Sequence, residues 1–149
     1  MPSRVGLSDA ARARIEWLNN KYGDTHPEVH AKLLEAGGHA AVMPPLGWFA
    51  QAFLERAVVS TASVQQVSGA DNECHRNASE YYRRDPQRYQ LVTGFGLSWD
   101  ADGLGCWRPH SWVFDLKSGE IVETTLTRDT YYGVMLESHE AEAFASQYD

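Results

Sequence analysis

The chain is short of cysteine and of positive charge, and it has no long apolar run. Two cysteines, Cys74 and Cys106, in 149 residues exclude a disulfide-stapled scaffold. The 13 lysines and arginines are outnumbered by 20 aspartates and glutamates, for a net charge of -7 and a pI near 5.3. Displacing counterions from nucleic acid requires clustered cations, and the only dense cluster here is Arg83-Arg84 with Arg88. No stretch approaches the roughly 20 apolar residues that span a bilayer. Met1-Pro2-Ser3-Arg4 leads into a polar helical segment, not the apolar core of a signal peptide. These absences describe a soluble, cytoplasmic protein, or one exported without a recognisable signal, with neither nucleic acid nor membrane as a partner. Repeats, low-complexity tracts and long linkers are also missing. We therefore expect one domain over residues 1–149, a length that buries close to 70% of the unfolded chain's surface.

What is present divides into helices first and strands afterwards. Ser8 is placed to cap a helix from Asp9 to about Tyr22, with Ala11, Ile15, Leu18 and Tyr22 on one face and Gly23 at its end. Pro27 opens a second helix that Gly37-Gly38 stops at about Ala36. The apolar stripe Phe49, Phe53, Leu54, Ala57 predicts a third between Leu46 and about Ser60. A fourth runs from Asn72 or Glu73 to Arg84, with Asp71 or Asn72 as its cap and Asp85-Pro86 as its stop. Strands follow over Tyr89–Trp99, Gly105–Leu116, Ile121–Leu126 and Tyr131–Leu136, then a short helix from about Ser138. This order predicts an α+β fold: N-terminal helices, then an antiparallel sheet of about four strands with the cysteine-bearing helix packed on it.

Cys74 falls at the start of the fourth helix, where unpaired backbone N–H groups favour a thiolate. His110 and Glu123 follow on successive strands, so a thiol nucleophile, an imidazole base and an acidic orienter occur in order. Register tests the set. A two-residue turn at Ser118-Gly119 would pair Phe114 with Glu123 and His110 with Thr127. The imidazole and the carboxylate would then share a face but lie about 13 Å apart at roughly 3.3 Å per residue. A bulge, a longer turn or strand coiling is needed to join them. In the same register Asp115 points to the other face.

Helix-borne Cys74, strand-borne His110 and a polar residue on the next strand resemble the layout of the papain-like cysteine hydrolases, a superfamily that includes NlpC-type cell-wall hydrolases. The resemblance covers about Asp71 to Leu126, half the chain, and is one of order. It implies that Cys74 attacks a carbonyl, His110 serves as base and then acid, and Glu123 holds the imidazole, on a peptide or other amide substrate and without a cofactor. The papain Cys-Gly-Ser-Cys-Trp signature is replaced by Glu73-Cys74-His75-Arg76-Asn77. Ser68 stands six residues before Cys74, where those enzymes place a glutamine oxyanion donor. The backbone N–H of Cys74 and the side chains of Asn72 and Gln66 are the substitutes. Trp107 and Trp112 flank His110 as sheet core or as walls of a substrate groove.

Two other readings compete. Cys74, His75, Cys106 and His110 form a two-cysteine, two-histidine zinc set, against which adjacent residues on a helix point about 100° apart. Alternatively the cysteines are small buried hydrophobes in a non-catalytic acidic binding or adaptor protein.

Overall fold

The computed structural model describes residues 6–149; Met1, Pro2, Ser3 and Arg4, used above to argue against a leader, lie outside them. Five helices and seven strands follow in the order α1 (Asp9–Tyr22), α2 (Pro27–Ala36), β1 (Ala40–Ala41), α3 (Phe49–Arg56), β2 (Val58–Ser60), β3 (Val64–Gln66), α4 (Cys74–Arg84), β4 (Tyr89–Trp99), β5 (Gly105–Asp115), β6 (Glu120–Glu123), β7 (Thr130–Met135) and α5 (Ser138–Ser146). The α+β class holds, but the expected four-stranded antiparallel sheet does not. Among the described residues the sheet has seven strands, six in the path β2-β7-β4-β5-β6-β3 and β1 beside β5, and two of its pairings, β1 with β5 and β3 with β6, are parallel. The extra strands are two or three residues long, too short to show an alternating pattern. One of them shortens the third helix: α3 stops at Arg56, and Val58-Val59-Ser60, read above as its end, pairs along β7 instead. β-Branched valines favour that extended choice.

The connection between β2 and β3 determines the shape of the sheet. In a flat sheet the two edge strands of this six-strand path would be about 24 Å apart. Only Thr61, Ala62 and Ser63 join them, a reach of at most about 14 Å. The sheet must therefore curl, and it forms a half-barrel. Alternation along each strand gives the two faces different surroundings. Leu91, Phe95, Val113, Val122 and Val134 face the helices and pack with Ala78 and Tyr82 of α4 and Ala141 of α5. Val92, Trp112, Ile121 and Tyr131 face the concave side, where Ala62 and Val64 close over them.

The β5–β6 turn corrects the predicted register. Asp115 pairs with Glu120, Phe114 with Ile121 and Val113 with Val122, so Leu116 to Gly119 form a four-residue loop. Gly119, at φ +73°, takes the left-handed conformation that closes it, and its N–H donates to the Asp115 carbonyl at 2.8 Å. Compared with a two-residue turn, this register slides β6 two residues along β5. Glu123 thereby moves from four residues away to the diagonal neighbour of His110, a spacing of about 7–8 Å that long side chains bridge. Asp115 points to the helix side, as expected. It is buried there and accepts both forks of Arg88, at 2.9 and 3.0 Å. Arg88, one member of the basic cluster, is therefore committed to a buried partner.

Candidate active site

β4 pairs with β5 along its whole length, so β1 and β6 must share the opposite edge of β5. They pair with it at residues 106–107 and 113–115, which leaves the edge around residues 108–112 without a strand partner. The start of α4 is brought to this gap. The helix begins after a tight turn in which Asn72 takes φ +59°, a left-handed conformation asparagine tolerates. The N-cap is Glu73, without a side-chain cap bond, rather than Asp71 or Asn72. The Asn77 side-chain amide donates to the Ala70 carbonyl at 2.8 Å and holds the turn against the helix. Cys74, half-buried, is the first residue of the helix and lines a cavity of about 610 Å³ with Asn72, His75, Arg108, Thr125 and Arg128.

Behind the thiol lies a buried polar network. The His110 ring and Glu123 carboxylate are both fully buried, with Nε2 and Oε1 2.7 Å apart. Glu123 Oε1 also accepts from the Tyr131 hydroxyl at 2.7 Å, and Oε2 from the Thr125 backbone N–H at 3.0 Å and hydroxyl at 3.1 Å. With Nε2 engaged, Nδ1 is the ring nitrogen that remains for Cys74, and it also lies 3.5 Å from an Arg128 guanidinium nitrogen. Trp112 stacks against the imidazole with ring centroids 5.7 Å apart.

The charges follow from these contacts. Burial alone would push the Cys74 thiol up, but hydrogen bonds to His110 and His75, together with their charge, outweigh it and bring it down to about 5. Burial favours neutral His110, yet its bonds to Cys74 and Glu123 raise its pKa. Glu123 is held below the usual carboxylate range because the His110 bond and the donors on its other oxygen outweigh burial. Burial and the bond to Glu123 raise the Tyr131 hydroxyl, which stays a donor. A thiolate and an imidazolium, backed by a carboxylate, are the mutually stabilised charge state.

Cys74, His110 and Glu123 are thus brought together, and Asn72 lines the same cavity. Other expectations change. Gln66 is not available as an oxyanion donor: its amide donates to the carbonyls of Glu123 and Thr125 at 3.1 and 2.6 Å and its oxygen accepts from Thr127, tying down the chain after β6. Trp107 lies on the helix side, fully buried, its indole N–H on the Gly37 carbonyl at 2.8 Å. Trp112 stacks on the imidazole on the concave side and lines a separate hollow there with Val92 and Phe114, so neither tryptophan lines the Cys74 cavity. The zinc set is not assembled: Cys106 sits in an apolar cluster with Ile15 and Leu18, and among the described residues no group of three or more His, Cys, Asp or Glu is placed to hold a metal.

Four participants escaped the sequence reading. His75 was weighed only as a zinc ligand, but its Nδ1 lies 2.6 Å from Ser111 Oγ, which in turn is 2.9 Å from Thr93 Oγ1. Tyr131 was read only as strand core. Arg108 and Arg128 carried no signal, because neither belongs to a charge cluster. No family model, curated protein or solved structure matches the chain. Among the described residues no helix is long and apolar enough to cross a membrane.

Proposed function

We propose that this protein is a cysteine-dependent acyl-transfer enzyme acting on an amide, with Cys74 as nucleophile, His110 as acid and base, and Glu123 as the group that orients and charges the imidazole. The observation that carries this reading is the buried His110–Glu123 pair at 2.7 Å, with the same imidazole interacting with a helix-initial thiol at the wall of an open cavity. A structural pair has no need of such a thiol, and a structural thiol has no need of the pair.

In the first step the Cys74 sulfur adds to the substrate carbonyl, and the developing oxyanion meets the backbone N–H of Cys74. As the first residue of its helix, Cys74 has no intrahelical acceptor for that N–H. The Asn72 side chain, on the same cavity wall, is a second donor. Collapse breaks the carbon–nitrogen bond while the His110 imidazolium gives its proton to the departing amine, leaving a thioester. Neutral His110 then takes a proton from water as the water oxygen attacks the thioester, and thiolate and acid are released. An amine in place of water turns hydrolysis into transfer. Glu123 stays ionised throughout and stabilises the imidazolium when it forms.

Alkylation of Cys74 by iodoacetamide as a function of pH, followed separately at each cysteine by mass spectrometry, tests this reading. An activated thiolate labels with a midpoint near pH 5, and His110→Gln moves that midpoint up by more than one unit. An unshifted midpoint near 8.5 in the wild type contradicts it.

A further inference from the structure

Five of the nine described arginines of this acidic chain are neutralised internally: Arg14, Arg56, Arg76, Arg83 and Arg88 each face a carboxylate. The two that line the Cys74 cavity do not. Among the described residues neither Arg108 nor Arg128 forms an ion pair with a carboxylate. Asp71 lines the same cavity without pairing to either. Arg108 is exposed on β5, two residues before His110.

Arg128 is held in place. A Cβ at Gly96 would lie 2.6 Å from Arg128 Cγ and 3.1 Å from Cδ, so the absent side chain leaves the groove through which the arginine stem runs across the sheet. Its guanidinium donates to the Leu126 carbonyl and reaches within 3.5 Å of His110 Nδ1. A fixed cation there opposes protonation of the imidazole. An anion arriving from outside would relieve that opposition.

The polarity of the cleft is one-sided. Past His75 and Pro109, which line both spaces, the surface continues into a groove of about 260 Å³ whose walls include Pro45, Phe49, Phe144 and Tyr148. Neither guanidinium lines that side.

Resting on the acyl-transfer reading, we infer that the substrate is an amide carrying a carboxylate close to the scissile bond, received on the Arg108–Arg128 side of Cys74 with the remainder of the molecule directed toward the apolar groove. A planar guanidinium fork suits a carboxylate, and two of them exceed what a neutral amide can use.

Paired alkylating reagents test this without an identified substrate. Iodoacetate and iodoacetamide both form the sulfur–carbon bond with loss of iodide and differ in a carboxylate against a carboxamide. The quantity read is the ratio of their rate constants at Cys74, iodoacetate over iodoacetamide. In the wild type this ratio exceeds that of a small free thiol, and it falls about tenfold in Arg108→Gln, the size expected for losing a charge-assisted contact. Arg108→Lys retains an intermediate value. A ratio that stays within about twofold of wild type in both Arg108→Gln and Arg128→Gln overturns the inference. The ratio is independent of thiol activation. If iodoacetamide labels wild-type Cys74 only near pH 8.5, the acyl-transfer reading fails while the ratio still decides whether the cavity receives a carboxylate.

Discussion

The two cysteines of this protein occupy opposite chemical environments. Cys74 begins a helix, lines a cavity and interacts with two imidazoles, each with its own support: His110 on Glu123, and His75 on Ser111, which Thr93 holds in turn. Cys106 is buried at the second position of an eleven-residue strand, among Ile15, Leu18, Ala40 and Leu104, with its sulfur 3.5 Å from the Trp107 carbonyl. Burial penalises the charged form of both thiols. At Cys106 that penalty prevails and the thiol is pushed up; at Cys74 the imidazoles reverse it. Burial is common to both, so what separates a depressed from a raised thiol here is the pair of imidazole partners.

Exchanging the sulfurs breaks the comparison most directly. Cys74→Ala is expected to abolish both acyl transfer and low-pH alkylation. Cys106→Ala should leave the labelling midpoint of Cys74 unmoved and lower stability by about 1 kcal/mol, the cost of a small buried void. Intact-mass labelling and urea denaturation of the two variants check this.

Neutralising the support behind one imidazole has the next largest effect. Glu123→Gln preserves shape but removes the charge that stabilises the imidazolium. The Cys74 midpoint is expected to rise by about one unit and stability to fall by about 2 kcal/mol, since a buried charged hydrogen-bond network is disrupted. Alkylation–pH profiles and denaturation curves report the two effects separately. Arg88→Met sharpens the contrast from the other side. It strands the Asp115 carboxylate, whose pKa Arg88 holds far below the usual range, and should lower the urea midpoint with no change at Cys74.

A smaller effect is the pH dependence of stability. Glu123, depressed in the fold, contributes stability above its unfolded pKa near 4.3 and loses it as pH falls through the lower folded value. His110, raised in the fold, contributes fully below its unfolded pKa near 6.5 and loses that contribution as pH rises through the folded value. The pair therefore stabilises most between about pH 4.3 and 6.5. Cys74, depressed to about 5 in the fold, gains stability as pH rises from there toward its unfolded value near 8.5 and offsets the loss from His110, so urea midpoints should climb to about pH 6.5 and then level off, and Cys74→Ala should expose the decline on the alkaline side.

Local signals made much of this architecture legible. Ser8 accepts from the Ala11 N–H as an N-cap, Pro27 opens α2, and α4 ends at Arg84 before Asp85-Pro86, all as their side chains dictate. The order of Cys74, His110 and Glu123 was equally readable. Their meeting was not, because it depends on a loop of four residues where Ser118-Gly119 suggested two, and each change of that kind slides a strand. The curl of the sheet was hidden for a different reason. It arises from β2 and β3, three residues each, whose pairing is specified by distant partners rather than by periodicity. Tyr131 and Arg128 reach the site only once that curl exists, so no pattern within their own segments could have singled them out.

The central claim is that His110, held by Glu123, is what makes Cys74 a thiolate. The decisive measurement is the pH profile of iodoacetamide alkylation at Cys74 in wild type and His110→Gln, with circular dichroism confirming that both are folded. The thiol's pKa of about 5 predicts a wild-type midpoint near that pH. In the variant it moves toward 8.5, and the rate at pH 5.5 falls on the order of twentyfold, because the higher intrinsic nucleophilicity of a more basic thiolate offsets part of its scarcity. A folded variant whose midpoint coincides with wild type would contradict the account.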